Sequence, residues 1–334
     1  MWLSLFISCS DSQNEQTQNN TSQETTTETK TIVVYSGRGE SMVSELFDMA
    51  EEDLGFSIDV QYGDTSNMVT KMLTEGEQSP ADIIFAQSSG YLGALAKQDR
   101  LETLPDTLLN SIQEKFRDDE QKWLGISGRL RVLVYDSSKI KVSDMPTSLK
   151  DLSNPIWKGR IGWAPNNGSF QAHVSALRHI WGEAETKEWL KGVQANTPKV
   201  YPKNSPQVRA VDEGKLEIGW VNHYYLHQLD KENTNAKNYS FPKQDGGNIM
   251  MLAGMGIRKG SKNTKEATQL LQWMISEKAQ AYFANRNFEY PTRPGIALHP
   301  KVTQIPQENV ASLKQSYLTD LGPTRVLLQE LQIQ

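Results

Sequence analysis

The chain has 334 residues, which is the length of about two ordinary domains and excludes one small domain. Its 37% hydrophobic and 22% charged residues are typical of a globular protein and exclude a fibrous or membrane-embedded chain. Of 40 acidic and 35 basic residues, four and one lie in residues 10–31, so the remaining body is nearly neutral at 36 against 34. Such a body has no basic excess for nucleic-acid phosphates, and we expect no nucleic-acid partner.

Residues 1–9 predict a lipoprotein-type signal. A short apolar stretch ends at the small residue Ser8, which precedes the single cysteine of the chain, Cys9. The positive charges that usually open such a signal are absent, so a chance match is the alternative. We expect Cys9 to be a lipid anchor, which would locate the protein in the periplasm or at the outer face of the cell membrane. A single cysteine excludes an internal disulfide and a cysteine-based metal site.

Residues 10–31 predict a disordered tether. They contain no apolar residue, so they cannot bury enough surface to offset the conformational entropy of the chain. A flexible segment of this length reaches roughly 25 Å from a membrane surface. The folded body is predicted to begin near residue 32. No later stretch holds the roughly 18 continuous apolar residues of a spanning helix.

The first part of the body predicts a β-α-β-α-β unit. Residues 32–36 and 83–85 form apolar strands, and residues 56–62 alternate between apolar and polar side chains as a half-buried strand does. Apolar residues at helical spacing predict helices over 41–54, with Ser41 as the cap, and over 68–75.

The second part of the body predicts another α/β unit. Strands are predicted over 130–135, 160–164, 217–220 and 249–257, and helices around 170–181, 189–190, 270–271, 279–283 and 326–331. The whole pattern predicts two α/β lobes.

Two short patterns are similar to known ligand-binding motifs, but simpler interpretations fit them better. The turn 37–39 joins a strand to a helix as a dinucleotide-binding turn does, yet Met42 stands where the third glycine belongs. His223 and His227 have the spacing of a zinc pair, yet Tyr224 replaces the glutamate of the protease motif. We interpret these patterns as an ordinary turn and two surface histidines.

Two further segments hold candidate ligands. Tyr224 and Tyr225 are adjacent, and such a pair usually packs its rings and leaves its hydroxyls wet, but two phenolates could instead hold a hard trivalent cation. Residues 165–170 open a helix with small polar residues, whose backbone N–H groups can meet an anion or simply start the helix. No nucleophile motif, P-loop or general base stands out, so we expect a protein that is not an enzyme.

Seven segments of the body form a distinctive ordered set. They are Val34-Tyr35-Ser36-Gly37-Arg38, Ser79-Pro80-Ala81-Asp82-Ile83, Ile126-Ser127-Gly128-Arg129-Leu130-Arg131 continuing to Val134-Tyr135-Asp136, Trp157-Lys158-Gly159-Arg160-Ile161-Gly162, Lys203-Asn204-Ser205, Asn222-His223-Tyr224-Tyr225 and Glu289-Tyr290-Pro291. Together they resemble the ferric-ion-binding proteins of bacterial iron ABC transporters, the periplasmic bacterial transferrins. The resemblance covers about residues 32–294.

This resemblance implies a type II periplasmic-binding-protein fold, an α/β architecture whose two lobes are joined by crossing strands and enclose a ligand cleft. The first lobe would contain residues 32–128 and about 255–305, and the second residues 129–254 and about 306–334. The implied function is capture of ferric iron outside the cytoplasm and its delivery to an ABC transporter permease in the membrane. We expect the protein to be a monomer.

The resemblance also implies a set of ligands. Tyr224 and Tyr225 become ligands of Fe3+, and Tyr135 matches a third tyrosine in part of the family. In relatives an anion such as carbonate or phosphate accompanies the iron, and the residues matching its site are Arg129, Asn167, Gly168, Ser169, Asn204 and Asn222. A hinge salt bridge is the alternative for Arg129, and Arg38 would help it to lower the pKa of the phenols.

The first lobe departs from the family pattern. Gly39 and Gln87 stand where other members carry a histidine and a carboxylate, so the resemblance implies neither ligand here. Glu40 matches a tyrosine of some relatives and is a candidate oxygen ligand, with a solvated carboxylate at a helix start as the alternative. The main alternative to iron binding is a binding protein of the same fold for an anion or small organic solute, without metal. An enzyme of a related two-lobe fold, or a nucleotide-dependent oxidoreductase that uses the turn at Gly37, is the third hypothesis.

Overall fold

The computed structural model describes residues 30–229, 231–318 and 321–334. The predicted signal, Cys9 and residues 10–29 of the predicted tether lie outside these ranges. The tether prediction was wrong for its last two residues, because Thr31 opens the first strand and Lys30 Nζ lies 2.6 Å from Glu266 Oε1. Within the described ranges, none of the helices has the length and apolar character needed to cross a bilayer.

The described residues form ten strands and ten α-helices. The strands are β1 (Thr31–Ser36), β2 (Ser57–Tyr62), β3 (Ile83–Ala86), β4 (Leu124–Asp136), β5 (Ile161–Trp163), β6 (Lys199–Val200), β7 (Ile218–Asn222), β8 (Ala236–Tyr239), β9 (Met250–Ile257) and β10 (Tyr290–Pro291). The helices are α1 (Glu40–Leu54), α2 (Thr65–Glu75), α3 (Ser89–Lys97), α4 (Asp106–Leu109), α5 (Gly168–Ile180), α6 (Glu183–Ala195), α7 (Asn204–Asp212), α8 (Thr264–Met274), α9 (Glu277–Asn285) and α10 (Leu321–Glu330).

The strands join in the order β2-β1-β3-β9-β4-β7-β5-β6, and β8 and β10 also pair with β4. The strands β1, β2 and β3 are parallel, as the predicted β-α-β-α-β unit requires. The long strand β4 is antiparallel to β9 from Leu124 to Leu130 and antiparallel to β7 from Arg131 to Tyr135. The ribbon of β4 and β9 therefore connects the two halves of the sheet.

Buried apolar side chains form separate cores on the two sides of this ribbon. The first core takes its members from residues 32–126 and 252–283. The second core takes its members from residues 133–251 and 318–333, and a smaller cluster from residues 130–236 lies on the other face of the same half of the sheet. We call these halves the first and second lobe; the exact lobe boundaries stay a prediction.

The start of α1 differs from the sequence prediction. The helix begins at Glu40, and its cap is Gly39 in an extended conformation, not Ser41. Its end is as predicted, because Gly55 adopts a left-handed conformation with φ of 73° and donates its N–H to the Glu51 carbonyl oxygen. The early start brings Glu40 into the first turn at the end of β1.

Candidate functional site

Tyr224 and Tyr225 follow directly on β7, in a 3-10 helical segment over His223–Leu229. Tyr224 is 3% exposed and Tyr225 is half-buried. Their ring centroids lie 4.4 Å apart and the rings are tilted by 36°. The end of a buried strand therefore presents two phenols side by side.

The environment of Tyr224 holds its phenol in the protonated form. Burial raises the pKa of Tyr224, and the neighbouring Tyr225 raises it further, because two phenolates would repel each other. The positive charge of Arg129 acts in the opposite direction. The Nδ2 group of Asn222 points at the Tyr224 hydroxyl from 3.5 Å, at the outer limit of a hydrogen bond. The charge of Arg129 thus favours the phenolate form of Tyr224, which is the form that can bind a cation.

Two arginines of β4 place positive charge near the tyrosine pair. Arg129 and Arg131 are two residues apart on the strand, so they share one face, and both are almost completely buried. Nε and Nη1 of Arg129 have no hydrogen-bond partner among the described residues. Burial lowers the pKa of Arg129, while Tyr224 and Glu289 oppose that change. Because an unpaired buried donor is costly, these two donors are available to a ligand.

Arg131 holds the amide of Asn222 in a defined orientation. Its Nη1 donates to Asn222 Oδ1 at 3.0 Å, and its Nη2 donates to the Trp220 carbonyl oxygen at 2.8 Å. Burial lowers the pKa of Arg131 to about 9. The Asn222 Nδ2 group is thereby directed at Ser169 Oγ, 3.3 Å away, and at Tyr224. Arg131 carried no role in the sequence prediction, although its strand period with Arg129 was a usable signal.

Arg38 lies in the turn after β1 and forms a buried ion pair. Its Nη1 and Nη2 donate to the two carboxylate oxygens of Glu289, each at 2.9 Å, and both side chains are at most 1% exposed. Ser127 Oγ donates to the same carboxylate at 2.7 Å. A hinge salt bridge was the alternative role for Arg129. In the described part of the chain Arg129 has no ion pair, and Arg38 forms the buried one. No sequence pattern singled out Glu289 as the partner.

Five of the six predicted anion residues, all except Arg129, come together at the start of α5. Asn167 caps this helix, because its Oδ1 accepts the Ser169 N–H at 3.0 Å. The Nδ2 group of Asn204, the first residue of α7, lies 3.5 Å from the same Oδ1. Asn222 reaches Ser169 from β7. Gly168 is the first residue of α5, and its backbone is exposed, because a Cβ atom there would meet nothing within 4 Å. A helix amino terminus and amide side chains from three elements therefore line one side of the tyrosine pair.

The structure does not bring Tyr135 to this site. It lies four residues beyond Arg131 on β4, about 13 Å at the usual rise of a strand. Its side chain is 6% exposed and belongs to the second core, where it packs edge-on against Tyr239. Burial raises its pKa. The match to a third family tyrosine thus falls on a core residue in this chain.

The first-lobe candidates lie where the parallel strands of that lobe end. Glu40 is exposed in the first turn of α1, and Gln87 follows β3 half-buried, with its backbone N–H donated to Thr65 Oγ1 at 3.0 Å. Tyr62, at the end of β2, has a phenol oxygen that could bind a metal, and the sequence prediction did not include it. Burial raises the pKa of Tyr62 to about 12, and the charges of Glu40 and Asp48 add to that effect.

The two histidines of the pair are not a zinc site. His223 is buried and bonded to backbone groups, so its interpretation as a surface residue was wrong. The ring of His227 stacks on Phe288 at 4.9 Å. Within the described ranges, no group of three or more His, Cys, Asp or Glu side chains could hold a metal ion.

Comparisons with known proteins match this architecture. Residues 78–314 match the family model described as bacterial extracellular solute-binding protein. The chain is 30% identical over 300 residues to a Fe(3+)-binding periplasmic protein of Serratia marcescens, covering 87% of this chain and 88% of that protein. It is also 30% identical to a major ferric iron-binding protein of Neisseria meningitidis, covering 79% and 82%.

Solved structures agree with the sequence matches. The iron-bound HitA of Pseudomonas aeruginosa has a TM-score of 0.84 and 28% identity, covering 90% of this chain and 99% of HitA. The match confirms the predicted α/β two-lobe fold of type II, and these relatives are binding proteins and not enzymes, as we expected of this chain. The chain belongs to the family of bacterial extracellular solute-binding proteins.

Proposed function

We propose that this protein captures ferric iron in the cleft between its lobes and delivers it to an ABC permease. Tyr224 and Tyr225 would supply two phenolate oxygens, and hard anionic oxygens are the donors that Fe3+ prefers. The observation that carries this proposal is the pair of adjacent phenols 4.4 Å apart beside the buried, partly unpaired guanidinium of Arg129. The names of the relatives, which are ferric-binding proteins, support it.

The anion expected with the iron would bind on the α5 side of the pair. The free donors of Arg129 and the first turn of α5 offer positive charge and N–H groups to carbonate or phosphate. Asn204, Asn222 and Ser169 would complete this anion site. We do not include Tyr135 among the proposed iron ligands, and Glu40 is the proposed first-lobe oxygen ligand.

A ferric titration tests the proposal. Ferric ion added as a weak chelate should give the visible charge-transfer band of iron bound to phenolate, and the double variant Tyr224→Phe plus Tyr225→Phe should lose it. Tyr135→Phe is the matched control, because it removes one buried phenol of the same lobe and should leave the band unchanged. A wild-type protein without the band would sink the proposal.

The second candidate function is binding of an anion or small organic solute without metal. The unpaired donors of Arg129 favour it, because they need a ligand whether or not iron is present. Calorimetry with phosphate or carbonate distinguishes the two functions. Tight anion binding that does not respond to iron would favour the second.

We further propose that the protein is a monomer tethered outside the cytoplasm by a lipid on Cys9, with the lobes bounded at 128/129, 254/255 and about 305/306. The separate cores support the boundary at 128/129, whereas Leu252 and Ala253 pack in the first core and move the proposed boundary at 254/255 to about 251/252. A Cys9→Ser chain should then leave the membrane fraction of expressing cells, and its retention there would contradict the anchor.

A further inference from the structure

The segment 288–292 is held by both lobes. Glu289 pairs with Arg38 of the first lobe. Thr292 also bonds to the first lobe: its N–H donates to Gln280 Oε1 at 2.8 Å, and its hydroxyl donates to the Gly125 carbonyl oxygen at 2.9 Å. Tyr290, between them, packs against the small cluster of the second lobe. Within this segment, Glu289 and Thr292 therefore contact the first lobe and Tyr290 contacts the second.

His223 connects this segment to the tyrosine pair. Its Nδ1 accepts the Leu130 N–H at 3.1 Å, which fixes the proton on Nε2, and that Nε2–H donates to the Phe288 carbonyl oxygen at 2.7 Å. The ring also lies 4.7 Å from the ring of Tyr290. His223 precedes Tyr224 directly, so one imidazole joins the tyrosine segment to β4 on one side and to the segment 288–292 on the other.

Phe288 gives this contact a fixed geometry. Its φ of 57° is in the left-handed region, which a side chain other than glycine rarely adopts. The residue is held there by the His223 bond to its carbonyl oxygen and by the stacking of its ring on His227. The next residue, Glu289, carries the carboxylate that binds Arg38 and Ser127. A displacement of Phe288 would therefore move the carboxylate that holds the first-lobe turn.

We propose that His223 is a positioning residue that couples the tyrosine pair to the Arg38–Glu289 ion pair of the first lobe. The contacts run from Tyr224 through His223, Phe288 and Glu289 to the turn that leads into α1 and Glu40. This inference rests on the proposed iron binding. Coupling is measured by separating the two hydrogen bonds of His223.

Two substitutions separate these bonds. In His223→Gln the side-chain amide can reach the position of Nε2 and keep the bond to Phe288. In His223→Asn the amide oxygen can take the place of Nδ1 and keep only the bond to Leu130. Ferric affinity is measured by competition, the charge-transfer band at saturating iron, and lobe closure by small-angle X-ray scattering with and without iron.

Coupling through Phe288 predicts an asymmetric result. His223→Asn should bind iron roughly tenfold more weakly, the size expected for one lost hydrogen bond to a buried carbonyl, and should close less, while its band at saturation keeps the wild-type shape. The ferric affinity of His223→Gln should stay within about threefold of wild type, because this variant keeps the bond to Phe288. Equal losses in the two variants would show a merely structural histidine, and two unchanged variants would show no role; either result overturns the proposal.

A third variant keeps the test decisive if His223→Asn folds poorly. Ser127→Ala removes one donor to Glu289 without touching the tyrosine segment, and it should weaken iron binding by about threefold and combine non-additively with His223→Asn. An unchanged affinity in Ser127→Ala, or strictly additive losses, would overturn the coupling. Absence of the band in wild type would instead overturn the iron proposal on which this inference rests.

Discussion

Charge is the dominant feature of the site at the scale of single residues. Three guanidinium groups, those of Arg38, Arg129 and Arg131, are buried, and one carboxylate, that of Glu289, lies near Arg38 and Arg129. This surplus of positive charge favours negative charge on the two phenols and on an anion. Burial opposes it and keeps Tyr224 protonated until a cation arrives. Under the proposed function, iron would replace the phenol proton.

The affinity for ferric iron should therefore depend on pH. The pKa of Tyr224 is raised above its ordinary value, so its proton is present throughout the neutral and acid range and must leave when iron binds. For each proton that iron displaces, the affinity falls by up to about tenfold when the pH falls by one unit. We expect a steep loss between pH 7 and pH 5, measured by competition with a chelator of known proton dependence.

Tyr225→Phe is the control for this pH dependence, because it removes one of the two phenols that can release a proton. Its affinity should fall less steeply with acid than that of wild type. An affinity independent of pH in the wild-type protein would mean that phenolates do not bind the metal.

Adjacent residues were predictable from local pattern, Asn204 and Asn222 only through the family resemblance, and the partner of Arg38 not at all. The tyrosine pair and the residues at the start of α5 each form one local group, because the members of each group are close in the chain. Glu289 is 251 positions from Arg38, and no spacing rule connects them. Tyr135 fits a family match in sequence, yet β4 carries it about 13 Å away from Arg131 into the core.

At the scale of elements, the ribbon of β4 and β9 is the feature on which the site depends, because β4 carries Arg129 and Arg131. The sequence predicted all of β9 but only the second half of β4, over 130–135, since Gly125, Ser127 and Gly128 interrupt the apolar pattern. These residues are nevertheless in the strand, where pairing with β9 and β10 buries them. The first half of β4 is therefore a strand because distant segments pair with it, and not because its own residues have a strand pattern.

Close packing within the ribbon makes Gly254 a sensitive position. It pairs with Gly125, and a Cβ atom there would lie 2.7 Å from the Leu124 carbonyl oxygen and 2.9 Å from Leu92 Cδ1. We expect Gly254→Ala to lower the free energy of unfolding by about 1–3 kcal/mol, measured in urea. Gly168→Ala is the control, because its Cβ would meet nothing within 4 Å. Equal stabilities of the two variants would contradict the close packing.

At the scale of the whole molecule, the two lobes have their own cores and share the crossing ribbon. The sequence predicted this arrangement through its resemblance to a family, while composition alone gave only the expectation of two domains. The ribbon and the segment 288–292 both pass between the lobes. A ligand that contacts both sides would favour their closed arrangement, because only differential contacts can shift such an equilibrium.

The position of the iron in this molecule is the most direct test of the account. Crystals of the protein loaded with ferric ion should be measured on both sides of the iron absorption edge, so that anomalous scattering locates the metal without assumptions about its ligands. We predict one iron peak per molecule, within coordination distance of the phenol oxygens of both Tyr224 and Tyr225. An iron peak away from both tyrosines, or none in crystals grown with saturating iron, would contradict the account.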